Sequence, residues 1–342
     1  MTSLTIDSCS KIGNKSPKVV GQYCPNLKLD VLKNCPLIRD KGIEDLFYSA
    51  GPILTEVELQ ALHISDISLK IISHHGTALK SLAVGELRRV IVREFWVMGI
   101  EPSVRGMPLD YPSWIFGILL KCGKKLKNFS LVKCLSVKDL INAVPSKAPC
   151  CNSLVSLTIR NCLGVGNATV VVVGRLCHKL TYIELSGLLC IADEGLFHLV
   201  NNCEANLVAM NLSGCVNITD KSISAIIKLN GKSLKSLLVD GCRHVLDATL
   251  VEIWNSCWML NVLDISKCGI TNSGITTLSS AIQLHLQILS LSGCPLVSNN
   301  SLPLLLDLVQ NLQGLNIQQC PNIISRTVDA LIEINPGCDI LS

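Results

Sequence analysis

LNVLDISKCGITNSGITTLSS, residues 260–280, carries a strand, a turn and a helix start in one short stretch. Leu260, Leu263 and Ile265 are followed by Cys268, and Asn272 then precedes Ile275 and Leu278. Alternation turns Leu263 and Ile265 to one face of a short strand and leaves Asp264 on the other. The spacing of three in Ile275–Leu278 suits the inward side of a helix. Asn272 stands where a short side chain can accept hydrogen bonds from the free amides of a first helical turn.

The same pattern, Leu-x-x-Leu-x-Ile/Leu-x-x-Cys, recurs on both sides. Upstream it reads Leu154, Leu157, Ile159, Cys162, then Leu180, Ile183, Leu185 with Leu188 in the Cys place. Two further units end at Cys215 and Cys242, and downstream two more end at Cys294 and Cys320. From position 162 to 320 the steps are 26, 27, 27, 26, 26 and 26 residues. A period of this length with this pattern predicts an α/β leucine-rich repeat solenoid, a horseshoe of the Cys-containing repeat type. Its parallel strands would line the concave face and its helices the convex face. The expected division is irregular repeats at 1–98, a loop at 99–114 marked by Pro102, Pro108 and Pro112, and regular repeats at 115–342.

Composition agrees with that architecture. Hydrophobic residues make up 49% of the 342-residue chain but aromatics only 4%, so the core is aliphatic. Mean hydropathy is +0.44. Yet no apolar run approaches the roughly 18 residues that span a bilayer, and Met1 to Ser10 has no secretory pattern. The high hydropathy is that of a continuous buried core. The net charge of +4 is too mild to argue for nucleic acid, and the basic cluster Arg88, Arg89 and Arg93 reads as a solvated repeat edge.

Eighteen cysteines without a signal peptide imply reduced thiols. No Cys-x-x-Cys occurs, which speaks against zinc. Nine cysteines fill the slot after the strand: Cys9, Cys35, Cys134, Cys162, Cys215, Cys242, Cys268, Cys294 and Cys320. A second slot, just before the next unit, holds Cys24, Cys122, Cys151, Cys177, Cys203, Cys257 and Cys338. Packing thus accounts for all but Cys150 and Cys190. Asp40, Asp139, Asn167, Asp193, Asp220, Asp247, Asn272 and Asn299 all recur at the helix start and are expected to be caps rather than catalytic acids. Gly164, Gly166 and Gly174 lack the Gly-Lys-Ser/Thr of a phosphate loop. His74–His75 has no acidic or Cys partner at ligand spacing. No nucleophile–base constellation is found, so no catalytic residue, metal or cofactor is expected, and the chain reads as a binding scaffold rather than an enzyme. The candidate partner-binding residues are those that alternation turns outward from the strands: Thr158, Arg160, Glu184, Asn211, Asp240, Asp264, Lys267, Asn316 and Gln318. Their mixture of charges and amides suits a protein partner, with neither nucleic acid nor membrane expected.

Longer stretches carry a family resemblance. These are MTSLTIDSCS (1–10), CPNLK (24–28), FGILLKCGKKLKNFSLVKC (116–134), LDISKCGITNSGI (263–275), LQILSLSGC (286–294), SLPLL (301–305), LNIQQC (315–320) and CDILS (338–342). Over most of 1–48 and nearly all of 115–342 the chain resembles the plant ethylene-insensitive-3-binding F-box proteins. The resemblance implies a nuclear substrate receptor of an SCF-type ubiquitin ligase. An F-box would dock on a Skp-type adaptor and cullin, and the repeats would capture ethylene-response transcription factors for ubiquitination and proteasomal degradation. The sequence departs from the family in two ways. It opens inside the repeats, so no F-box is expected and adaptor docking is in question, and the first repeat is expected to fray. Residues 61–98, with HISDISLKIISHHGTALKSLAVGEL and FWVMG, resemble repeats that lie upstream of LTIDSC in the family but stand downstream of it here. A truncated or rearranged copy fits, and a non-functional fragment, or a decoy that holds the transcription factor without delivering it, is an alternative. A small-molecule hormone sensor is another, disfavoured because the regular steps through 154–320 leave no long loop to build a pocket.

Overall fold

The computed structural model describes residues 1–87, 118–119, 122, 124–135, 137, 139, 150–280 and 284–342. The loop expected at 99–114 and the cluster Arg88, Arg89 and Arg93 lie outside the described residues. The chain forms two compact units, each a stack of leucine-rich repeats: Met1–Leu180 with Asn202–Glu204 (unit 1), and Thr181–Asn201 with Ala205–Ser342 (unit 2).

Unit 1 runs β1 (Ser3–Asp7), α1 (Lys15–Tyr23), β2 (Leu29–Lys33), α2 (Asp40–Ala50), β3 (Glu56–Gln60), α3 (Asp66–His75), β4 (Ser81–Gly85), β5 (Asn128–Val132), β6 (Ser156–Arg160) and α4 (Asn167–Leu176). Each strand pairs in parallel with the next. Unit 2 begins β7 (Tyr182–Glu184), α5 (Asp193–Asn202), β8 (Ala209–Asn211), α6 (Asp220–Asn230), β9 (Ser236–Leu238) and α7 (Asp247–Ser256). It continues with β10 (Val262–Asp264), α8 (Asn272–Ser279), β11 (Ile288–Ser290), a 3-10 turn (Asn299–Ser301), α9 (Leu302–Val309), β12 (Gly314–Asn316), α10 (Ser325–Ile334) and β13 (Asp339–Leu341). Its strands are likewise parallel and sequential.

The register stacks like on like. In unit 1, Val57 faces Leu82, Leu82 faces Phe129, and Phe129 faces Leu157, all at most 2% exposed. In unit 2, Met210, Leu237, Leu263, Leu289 and Leu315 form the same column. Truncating one such residue to Ala costs about 2–5 kcal/mol, because the neighbouring layers are held too tightly to close the gap.

The recurring Asp and Asn residues act differently from the expected caps of their own helices. Asp40, Asp193, Asp220, Asp247, Asn272 and Asn299 each open their helix, and their side chains, like that of Asp139, reach the helix start of the following repeat. Asp247 accepts from the Thr271 N–H and hydroxyl, and Asp193 does the same for Thr219. Asp220 accepts from the Leu246 and Thr249 N–H groups and the Thr249 hydroxyl. Asp139 binds Ala168 and Thr169 likewise. The Thr219 and Thr271 hydroxyls in turn accept from Lys221 and Ser273 N–H, so they are the true N-caps. The carboxylate orients the cap across the repeat boundary.

A second periodic feature lies just before the Cys slot. Ser8, Asn34, Ala61, Glu86, Lys133, Asn161, Lys267 and Gln319 have φ between +50° and +57°, and Gly187, Gly214, Gly241 and Gly293 occupy the same place. This left-handed residue aims its N–H at the next repeat: Asn34 N–H donates to the Gln60 carbonyl and Lys267 N–H to that of Ser292.

One inward position is polar. Asp30 on β2 lies in register between Leu4 and Val57 and is 1% exposed. Its Oδ1 has no hydrogen-bond partner. Burial pushes its pKa up to about 7, against a lowering by the Val31 amide. The folded state therefore holds a proton that the unfolded chain releases near pH 4. Stability falls as pH rises from about 4 to about 7 and levels off above, for a total on the order of 4 kcal/mol. Asp30→Leu is expected to flatten this slope and raise the denaturant midpoint at pH 8 more than at pH 5; urea titrations across pH measure both. Asp247→Ala is expected to cost about 1–3 kcal/mol. Hydrogen exchange should then quicken at Thr271–Ser273 in the following repeat rather than at the start of α7.

Candidate functional site

The outward positions of the strands form the surface that the repeats leave for recognition. In unit 1, Thr158 and Arg160 stand on β6 beside Ser130 and Val132 of β5, with Thr158 half-buried and Arg160 exposed. The other seven candidates stand in unit 2. Register places Glu184, Asn211, Asp264 and Asn316 in the middle outward row, with Leu238 and Ser290 between them. Asp240, Lys267 and Gln318 lie in the turns that leave β9, β10 and β12.

Several of these side chains also close their own turns. Asn211, Asp264 and Asn316 each accept the N–H two residues on, from Ser213, Ser266 and Gln318, at 2.9, 3.0 and 3.1 Å. Such a bond satisfies a strand-end amide and fixes the turn. Glu184 accepts from the Ser186 hydroxyl at 3.1 Å. The structure brings Asp240 and Lys267 together as an exposed ion pair at 3.1 Å. Such pairs stabilise little and mainly hold the two heads in place. The Gln318 carbonyl accepts from the Ser292 hydroxyl and the Gly293 N–H, tying that turn to its neighbour.

The outward rows also carry apolar groups. Tyr182 (49% exposed) and Ile288 (46%) project from β7 and β11, and Val262 and Leu238 are half-buried on β10 and β9. The alternation that marks Glu184 and Asp264 as outward marks these as outward too. Unit 2 holds seven Lys and Arg against twelve Asp and Glu, whereas the whole chain is +4. The strands of unit 2 carry Glu184, Asp264 and Asp339 and no Lys or Arg, so their outward face is acidic with apolar anchors.

The thiols are structural donors. Cys215, Cys242, Cys268, Cys294 and Cys320 each donate to a carbonyl of the preceding repeat, at 2.9–3.2 Å. Burial pushes Cys215 up to about 11 and Cys242, Cys257 and Cys294 up to about 12, so all four are protonated at neutral pH. Cys150 and Cys190, which the repeat pattern does not place, are exposed. Among the described residues no group of three or more His, Cys, Asp or Glu is placed to hold a metal ion. No helix among them is long and apolar enough to cross a membrane.

Comparison with known proteins gives a consistent fold. A leucine-rich repeat family profile matches residues 256–279. The chain is 26% identical to the DNA repair protein rhp7 of Schizosaccharomyces pombe over 58% of this chain and 46% of that protein, so it spans about half the length of that curated relative. Among solved structures it is similar to yeast Rad7 in its complex with Elc1, with a TM-score of 0.65 at 15% identity, covering 99% of this chain and 80% of that one. It is also similar to an internalin of Listeria monocytogenes, with a TM-score of 0.57 at 16% identity, covering 100% and 86%.

Under native conditions at pH 8, a thiol reagent such as Ellman's is expected to react first at Cys150 and Cys190. The post-strand cysteines of unit 2 should react only on unfolding. Peptide mapping of the labelled sites checks this, and rapid native labelling of Cys242 or Cys268 would contradict it.

Proposed function

We propose that the chain is the protein-binding repeat module of a ubiquitin-ligase substrate receptor, acting in the nucleus without catalytic chemistry of its own. The outward strand face of unit 2 carries this reading. Tyr182, Leu238, Val262 and Ile288 offer rigid apolar anchors of the kind that dominate protein interfaces. Glu184, Asp240 and Asp264 beside them add carboxylates that favour a basic partner and raise its encounter rate. The resemblance to the ethylene-insensitive-3-binding F-box family supplies the partner class. An ethylene-response transcription factor binds DNA through a basic region, and an acidic face with apolar anchors suits such a surface. Similarity to a protein named for DNA repair favours the nucleus. Coupling to the ligase would run through the Skp-type adaptor and cullin that the same family uses.

Isothermal titration with the recombinant DNA-binding region of such a transcription factor tests the proposal. Micromolar or tighter binding is expected, weakened at least tenfold by Leu238→Glu with Ile288→Glu and unchanged by Trp254→Ser on the helix side. No binding by the intact chain would remove it.

A further inference from the structure

The mild charge of the whole chain conceals a division. Unit 1 holds twenty-three Lys and Arg against fourteen Asp and Glu, so it is strongly basic while unit 2 is acidic. Part of this surplus is ordered by the repeat. The residue that enters each strand, one place after the first Leu of the motif, is Lys28 before β2, Lys80 before β4 and Lys127 before β5. Lys80 and Lys127 are neighbours in the ladder, because the Lys127 N–H donates to the Lys80 carbonyl at 2.7 Å. Adjacent strands lie about 4.8 Å apart. The turn into β5 adds Lys124 and Lys125. It is pinned by the Ser153 hydroxyl on the Lys124 carbonyl at 2.6 Å and by the Lys125 N–H on Cys122. All five lysines are exposed.

Clustering along one edge sets them apart rather than lack of a partner, since among the described residues Lys11, Lys15, Lys18, Lys70 and Lys179 also hold no carboxylate. Lys33, Lys41 and Lys133 of the same unit each hold a carboxylate at 2.8–3.2 Å. Among the described residues Lys28, Lys80, Lys124, Lys125 and Lys127 hold none. The repeat between Lys28 and Lys80 has Thr55 at this place and an exposed Glu56 beside it, so the uninterrupted basic stretch is at β4 and β5. We infer that this strand-entry edge of unit 1, Lys80 with Lys124, Lys125 and Lys127, binds the phosphate backbone of a nucleic acid. The flanking surface favours that occupant. Asn26, Thr77, Ser81, Asn128 and Ser156 are polar, and among the described residues the exposed large apolar side chains beside the strand entries are Ile53, at 37%, and Tyr23, at the Lys28 end. A protein interface draws on buried apolar or aromatic anchors, and stable membrane docking adds inserted apolar side chains to the attraction of anionic lipid. A phosphate backbone needs neither, since counterion release alone supplies the attraction.

Fluorescence anisotropy with the full chain and labelled 20-nucleotide single-stranded DNA, the matching duplex and RNA tests the inference across a salt titration. Binding at 50 mM salt should fall log-linearly as salt rises. K80Q/K124Q/K125Q/K127Q should weaken it at least tenfold and flatten the slope by roughly 0.7–0.9 for each phosphate that is no longer neutralised. K41Q, which removes a paired lysine, should change neither, and circular dichroism confirms that both variants are folded. Absence of binding at 50 mM salt, or unchanged affinity in the quadruple variant, would overturn the inference. So would tighter capture by polyglutamate or by anionic phosphatidylserine vesicles than by the oligonucleotides.

Discussion

Everything in this fold depends on one constraint: a single repeat cannot satisfy its own polar groups or cover its own apolar face. Each strand leaves a row of amides and carbonyls that the next strand completes. Each helix start leaves free N–H groups, and their orientation is set from the repeat before, as Asp193 does for Thr219 and Asp247 for Thr271. The post-strand thiols of unit 2 donate backwards, as Cys242 does to Leu212 and Cys268 to Val239. Buried polar groups without partners are costly, so a displaced repeat would lose ladder, cap and thiol bonds together. Cooperativity within each unit follows from this mutual completion. Asp30 shows the rule by breaking it: it is a core position with a polar side chain whose Oδ1 no neighbour completes.

Because the period fixes the inward residues, the outward ones are free to vary. The two units use that freedom in opposite ways. Unit 1 accumulates lysines at strand entries and turns, while unit 2 keeps fewer there, Lys232, Lys235 and Lys267 among them, and sets carboxylates beside apolar anchors. These are differences of surface only. Val57, Leu82, Leu263 and Leu289 keep the same column underneath.

Much of the fold was legible in the sequence because the motif is local and periodic. Leu263, Ile265 and Cys268 are read from spacing alone, and the structure buries all three. Spacing also found Asp220, Asp247 and Asn272. It could not show that their side chains reach forward to the next helix, because that is a relation between repeats rather than within one. The candidate site was half legible. Alternation put Thr158, Arg160, Glu184, Asn211, Asp264 and Asn316 on outward strand positions, but Asp240, Lys267 and Gln318 stand in turns, and polarity drew attention away from Tyr182, Val262 and Ile288. The division of charge was hidden in the chain-wide sum until the boundary near residue 180 was known.

The left-handed turn residue joins fold to surface. Most L residues avoid this conformation, which costs on the order of 1 kcal/mol, and glycine relieves it. Unit 2 uses glycine at 187, 214, 241 and 293 but lysine at 267 and glutamine at 319. Unit 1 uses Glu86 and Lys133. The charged exceptions are paired across the repeat boundary: Lys133 holds Glu86 at 3.2 Å, and Lys267 holds Asp240 at 3.1 Å. An exposed pair of this kind contributes only about 0–1 kcal/mol. It offsets the strain at best and does not explain the choice of residue on stability alone. What the strained turn secures is placement. Its N–H must reach the next repeat, so the side chain that leaves it is held at the border of the outward face. There the Glu86–Lys133 and Asp240–Lys267 pairs stand, each neutral in sum, with their heads held in fixed places.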